Sequence, residues 1–217
     1  MMSDTFVRMR LARAALLACL AAAAASCGDG STPPAEVLPT EDLGFLVTLP
    51  DAPALESTTL SFWATKGQEE EVAIRYLPRL GSGDAEGEDF LRFRLEAESL
   101  RRRPDGSAIA VGDSVLITIA VVDPVHLIAS FQPSGLQFDP DRPARLRFRF
   151  AETDDDRDED GDVDAEDDAI RSELAIWRQE QLGQPWVRLS SRLEVGVDEV
   201  EARLTGFTNY AVAYRAR

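Results

Sequence analysis

The residues best placed to do chemistry lie together in one acidic run. Asp156-Arg157-Asp158-Glu159-Asp160-Gly161-Asp162-Val163-Asp164-Ala165-Glu166-Asp167 packs eight acids into twelve residues. Counted from Asp156, acids fall at positions 1, 3, 5, 9 and 12, glycine at 6 and an apolar residue at 8. A hard divalent cation takes about six to eight oxygens, and alternate residues of a tight loop can turn theirs to one point. On that chemistry Asp156, Asp158, Asp160, Asp164 and Asp167 are ligands through their carboxylates and Asp162 through its carbonyl. Gly161 permits the sharp turn, and Val163 is expected to point back into the core. The ion this spacing suits is calcium. The competing reading is a solvated acidic loop without metal. Against it stands electrostatics, because acids this crowded repel each other unless a cation neutralises them.

The pattern resembles the calcium loop of EF-hands. It departs from most of them at the twelfth position, where Asp167 stands in place of a bidentate glutamate. In that respect it is similar to the loop of bacterial dockerins, which use aspartate there and enter a helix directly. Outside a cell, where calcium is plentiful, a weak site suffices, with Kd on the order of 10⁻⁴–10⁻³ M. Its expected role is structural, pinning a long connection between strands.

The elements that must position this loop are strands. From Leu43 onward the dominant hydrophobic period is two. Thr59–Trp63 and Val72–Tyr76 alternate across the polar turn Lys66–Glu69 and predict a hairpin. Phe90–Leu95 alternates again. Val115–Val121 is nearly continuous apolar, as expected of a strand covered on both faces. Further strands are predicted at His126–Phe131, Arg145–Phe150, Leu174–Arg178, Trp186–Leu189, Val200–Leu204 and Tyr210–Tyr214. Ala165–Glu173 is the one plausible helix, directly after the acidic run. The expected class is all-β, an antiparallel sandwich over residues 43–217 with one short helix.

Pro133-Ser134-Gly135-Leu136-Gln137-Phe138, Pro143-Ala144-Arg145-Leu146, Leu174-Ala175-Ile176-Trp177, Trp186 and Gly206-Phe207-Thr208-Asn209-Tyr210-Ala211-Val212 together resemble the ZU-five domain. That β-sandwich occurs in ankyrins and netrin receptors, with bacterial envelope relatives. The resemblance covers residues 88–215, with the calcium loop and helix (152–172) inserted. It implies a protein-binding and self-packing module. Some family members cut their own chain at a His-Phe-Ser site. The matching positions here are Gly206, Phe207 and Thr208, so no self-cleavage is expected.

The N-terminus reads as an export signal. Arg8, Arg10 and Arg13 precede the apolar run Ala14–Ala25, which is too short to span a bilayer of about 30 Å. Ala24-Ala25-Ser26-Cys27 resembles a bacterial lipobox, in which lipid is attached to the cysteine that becomes the mature N-terminus. Leu16-Leu17-Ala18-Cys19 has a similar pattern but sits too close to Arg13. The alternative to lipidation at Cys27 is an ordinary secretory signal cut near Ala25. Residue 28 is Gly, not an inner-membrane retention Asp, which favours the outer membrane of the cell envelope. Residues 27–42 are rich in Gly, Pro and acid and read as a flexible tether.

The 217 residues carry a net charge of −16, and loss of residues 1–26 would leave −18. That balance argues against nucleic acid as a partner. Both cysteines, Cys19 and Cys27, lie in the first 27 residues, so the domain has neither disulfide nor thiolate metal site. The basic residues are 22 Arg and one Lys, Lys66.

Other sites are weaker. Gly112-Asp113-Ser114 has the letters of a hydrolase motif but precedes its strand, and the sole histidine, His126, is twelve residues on. His126 is expected as a partly buried strand residue, and Trp63, Trp177 and Trp186 as core. The leading function is therefore a membrane-anchored interaction or structural module stabilised by calcium. The alternatives are a dockerin-like docking module and a carbohydrate-active enzyme.

Overall fold

Alternation decides the layers. In the segment Ala144–Arg149 every second residue, Leu146 and Phe148, is buried, while Arg145, Arg147 and Arg149 face outward. Hydrophobic burial on one side of each strand forces two sheets together. The structure, a computed structural model, describes residues 35–81 and 86–216. The signal at 1–26 and Cys27 lie outside the described residues. Among the described residues no helix is long and apolar enough to cross a membrane.

In chain order the strands are β1 (Val37–Leu38), β2 (Leu43–Phe45), β3 (Thr59–Thr65), β4 (Glu70–Arg75), β5 (Asp89–Leu95), β6 (Leu100–Arg102), β7 (Ser114–Asp123), β8 (Ile128–Gln132), β9 (Gln137–Phe138) and β10 (Ala144–Arg149). Helix α1 (Ala165–Glu173) follows, then β11 (Ala175–Gln179), β12 (Trp186–Arg188), β13 (Ser191–Glu194), β14 (Glu199–Leu204) and β15 (Asn209–Arg215). One sheet runs β1-β12-β11-β15-β8-β7-β3, with β2 added beside β15. The other runs β13-β14-β10-β5-β4, and β6 with β9 forms a small third pair. The pairings are antiparallel throughout. The expected all-β sandwich with one short helix is the observed architecture.

The core between the two large sheets is aromatic at its centre. The Phe93 ring lies 5.6 Å from Phe131, 5.5 Å from Phe207 and 6.4 Å from Phe138. Tyr210 meets Phe131 edge-on at 5.4 Å. Each such ring removed from water contributes about 1.5–3 kcal/mol, and the tilted ring pairs add to that. A second, smaller cluster (Trp177, Trp186, Ala211, Ala213 and Leu43) packs on the outer side of the larger sheet.

Several expectations are corrected. The run Thr59–Trp63 and the run Val72–Tyr76 do not form a hairpin: β3 pairs with β7, and β4 pairs with β5. The Lys66–Glu69 turn instead carries the chain from one sheet to the other. Strand β7 is not covered on both faces, since Leu116 and Val122 are exposed opposite buried Ile117 and Ile119. Trp63 is 63% exposed and is not core, whereas Trp177 and Trp186 are buried. His126 lies on the turn before β8 rather than in the strand, its Nδ1 2.8 Å from Asp123 Oδ2. Residues 37–42, read from sequence as the end of a tether, contain β1 and a 3-10 turn at Thr40–Asp42. Val37 and Leu38 pair there with Val187 and Trp186. Short strands such as β6, β9 and β13 carry too few residues to show a period.

Candidate metal centre

The acidic loop leaves the sandwich after β10 and returns to it through α1. Its entry is held by backbone bonds to the segment after β2: Leu49 N–H donates to the Glu152 carbonyl (2.9 Å) and Asp154 N–H to the Val47 carbonyl (2.8 Å). Buried Thr153 turns its hydroxyl onto the Phe150 carbonyl at 2.7 Å. The next residues are tied from below, where the Tyr214 hydroxyl on β15 donates to the Arg157 carbonyl at 2.6 Å. Tyr214 reaches it because Gly44 has no side chain: a Cβ there would sit 2.1 Å from the tyrosine ring. Arg157 is itself buried, its guanidinium donating to the Asp155 carbonyl and carboxylate, both at 2.8 Å.

The far end is a capped helix. Asp164 is the N-cap, accepting from Glu166 N–H at 2.6 Å, while Asp167 Oδ2 accepts from Asp164 N–H at 2.9 Å. These reciprocal bonds form a capping box with aspartate in the third position. Glu166, Asp167 and Asp168 in the first turn suit the positive end of the helix dipole. Ile170 is buried in the main core and fastens the helix to the sandwich. Arg171, in the last turn, donates to the Val195 carbonyl at 3.0 Å and pairs with Asp198.

Between these anchors the loop curls on its own carboxylates. Asp156 accepts from Asp160 N–H (3.2 Å) and from Gly161 N–H (3.0 Å). Asp160 Oδ1 accepts from Asp162 N–H at 3.1 Å. Gly161 has φ +101°, a conformation that L side chains rarely adopt, so glycine at the sixth position serves the turn. As a result Asp156, Asp158 and Asp167 each bring one carboxylate oxygen within 4.8 Å of the others. The carboxylates of Asp160, Asp162 and Asp164 do not join that group; Asp160 accepts from Asp162 N–H, and Asp164 caps α1. Val163 is 65% exposed and does not return to the core, contrary to the sequence expectation.

Charge makes the site tense. Loss of solvent, then the Asp160, Asp167 and Asp156 carboxylates, raises Asp158 above the ordinary carboxylate range. The Asp160 and Asp164 carboxylates raise Asp162 in the same way. Asp167 moves oppositely, lowered by the backbone N–H groups of Asp164 and Arg157 that bond to it. A donor set made wholly of oxygens and carrying this repulsion fits a hard divalent cation. Asp156, Asp158 and Asp167 would hold it, and the ion would supply the missing positive charge.

The remaining chemical candidates have structural partners. Ser114 Oγ lies 2.8 Å from Thr65 Oγ1, and Asp113 accepts from Ala110 N–H at 3.1 Å. Ser114 and His126 flank opposite ends of β7, about 30 Å apart at about 3.4 Å per residue. They form no catalytic pair. Asp123 meets the cost of partial burial with hydrogen bonds from the His126 ring and backbone, which hold its carboxyl below the usual range. Sequence reasoning located the loop and its helix but missed Tyr214, Gly44 and Arg157 as its supports. Nothing in the local pattern marks Tyr214 and Gly44, because each acts on a part of the chain remote in sequence, whereas Arg157 lies within the run itself and bonds to Asp155. Compared with family models, curated proteins and solved structures, the chain has no match.

Proposed function

We propose that this chain is an extracytoplasmic lipoprotein whose β-sandwich is a non-enzymatic interaction and structural module stabilised by calcium. Lipid on Cys27 anchors it to a membrane of the cell envelope, the outer membrane being favoured by Gly28, and the domain is displayed beyond it. The observation that carries the calcium reading is the convergence of Asp156, Asp158 and Asp167 within 4.8 Å in a turn already ordered by backbone bonds. A cation there would join β10 to α1 and hold a long connection against the sandwich. The resemblance of residues 88–215 to ZU-five domains supports a protein as the partner.

Thermal unfolding of the full chain tests the metal. Millimolar calcium is expected to raise the melting temperature, and excess chelator to reverse it. Identical curves in calcium and in chelator would remove the metal from the proposal. The anchor is tested separately by Cys27→Ser, which is expected to move the protein from the membrane fraction to the soluble one. Continued membrane association of that variant would overturn the lipid assignment.

A second reading has one feature in its favour: the loop enters α1 directly through the Asp164 cap, leaving Glu166 and Asp168 exposed. That arrangement suits dockerin-like, calcium-dependent docking of a partner on the helix. Charge reversal at Glu166 and Asp168 would then weaken partner capture without changing the calcium-induced rise in melting temperature.

A further inference from the structure

The two outer faces of the sandwich differ sharply in chemistry. On the smaller sheet, arginines and acids interlock, with Arg147 at 2.9 Å from both Glu199 and Glu201 and Arg92 at 3.0 Å from Glu71. Beyond them, β4 closes that sheet with Glu70 and Glu71 in its run, and the backbone just past it pairs with residues 54–56. The larger sheet ends on β3, whose run Thr59–Thr65 (TLSFWAT) has no charge, no proline and no glycine. Natural edge strands ordinarily carry charge, proline or a covering segment to prevent pairing with another chain. Among the described residues this one carries none of them, and it exposes Trp63.

The directions of the backbone groups on β3 follow from its neighbours. Thr58 directs its carbonyl to Val121 N–H at 2.8 Å, and Lys66 its N–H to the Asp113 carbonyl at 3.0 Å. Even-numbered residues therefore face β7, and the N–H and C=O groups of odd-numbered residues face away from it. Of these, Thr59 is occupied by its neighbour: Ser57 Oγ accepts from Thr59 N–H at 3.2 Å and donates to the Thr59 carbonyl at 2.7 Å. At the other end, the Thr65 carbonyl accepts from Gln68 N–H at 3.0 Å. Among the described residues, what remains open with both its N–H and C=O groups is the window formed by Ser61 and Trp63, centred on Phe62; Thr65 leaves only its N–H.

We infer that this window is a self-association edge: two copies of the chain join their β3 strands antiparallel about a two-fold axis at Phe62. Ser61 of one copy then pairs with Trp63 of the second, and Trp63 with Ser61, making four backbone hydrogen bonds from groups that are otherwise unpaired. The window is its own complement in length, because the occupied Thr59 of each copy lies opposite Thr65 of the other and closes it at either side. Side chains match as well. Ser61 and Trp63 share the outer face, so each large indole lies beside a small hydroxyl of the other copy. Phe62, only partly buried against the core, lies beside its own counterpart on the inner face. Residues 59 to 65 being uncharged, two copies of a strongly acidic protein meet here without placing acid against acid. A second copy is thus the occupant that matches this edge in length, shape and charge. The inference is independent of calcium and of the lipid anchor.

Cross-linking and sedimentation of the full chain test it. Residues facing each other across a non-hydrogen-bonded antiparallel pair have Cα atoms about 4.5 Å apart, within disulfide reach. Phe62→Cys is therefore expected to give an oxidant-dependent covalent dimer beyond any formed by the natural cysteines, which the parent chain measures under the same conditions. Thr59→Cys lies about 20 Å from its counterpart at about 3.4 Å per residue and is expected to give none. In detergent, the parent chain is expected to sediment as two copies. Ser61→Lys, at an exposed position that leaves the core intact, is expected to sediment as one. A parent chain that sediments as one copy over the accessible concentration range overturns the inference. So do two copies that persist in Ser61→Lys, which would place the contact elsewhere. If Phe62→Cys does not fold, the sedimentation pair decides alone.

Discussion

Asp167 concentrates the chemistry of the loop in one side chain. Its oxygens accept from Asp164 N–H at 2.9 Å, from Asp158 N–H at 3.4 Å and from Arg157 N–H, so it joins the start of the loop to the start of the helix. Asp167→Asn replaces one acceptor oxygen by a donor and is expected to lower the melting temperature in chelator and to remove most of the calcium-induced rise. The pH dependence has a definite sign. Because the folded-state pKa of Asp167 is lowered, its contribution is present above the unfolded carboxylate value of about 3.9 and lost as pH falls through the folded value. Asp158 and Asp162 are raised, so their ionisation costs stability at neutral pH, and mild acid relieves that cost first. The melting temperature of the chelated protein is therefore expected to rise as pH falls through the folded-state values of Asp158 and Asp162, and the gap between the parent chain and Asp167→Asn to close as pH falls further, through that of Asp167. A gap that stays constant from pH 7 to pH 2 would contradict this account.

At the scale of elements, the loop works because its two ends are fastened to different parts of the sandwich. Helix α1 has only nine residues, too short to persist on its own propensity, and depends on its cap and on buried Ile170. Ile170→Ala is expected to cost about 2–5 kcal/mol and to weaken calcium binding, read by chemical denaturation and by titration calorimetry. The other fastening is the contact of β2 with β15, where the Tyr214 ring lies over Gly44. Gly44→Ala must push the ring aside and release the Arg157 carbonyl. Calcium affinity is expected to fall in that variant although Gly44 touches no ligand, and Tyr214→Phe, which keeps the ring and removes the hydroxyl, separates the lost bond from the displaced ring.

The whole molecule is held by the layer between the sheets, and Phe93 stands at its centre with four aromatic neighbours, Phe62, Phe131, Phe138 and Phe207. Phe93→Ala is expected to cost about 3–5 kcal/mol, read as a lower denaturant midpoint, with calcium still raising the melting temperature of whatever remains folded. The segment 152–168 carries a net −11 of the chain's −16, so the repulsion is local to the loop and not spread over the fold. On the outer face of the smaller sheet, by contrast, Arg92, Arg145 and Arg147 are paired with acids, and each exposed pair there contributes little.

By itself the sequence determined the local features. Period-two alternation marked most of the long strands, and acid spacing with one glycine marked the loop. The position directly after the acidic run marked α1 at Ala165–Glu173, where the structure has it. All of these depend on neighbours a few residues away. What only the tertiary structure decided was partnership. Thr59–Trp63 alternates equally well whether it pairs with β4 or with β7, and the four-residue Lys66–Glu69 link is long enough to change sheets. The choice falls to the distant β7 because crossing there buries Ala64 and Ile117 on the shared inner face. The same holds at the loop. Its acids were legible, but which three of them converge depends on where Tyr214, Gly44 and Ile170 hold its ends.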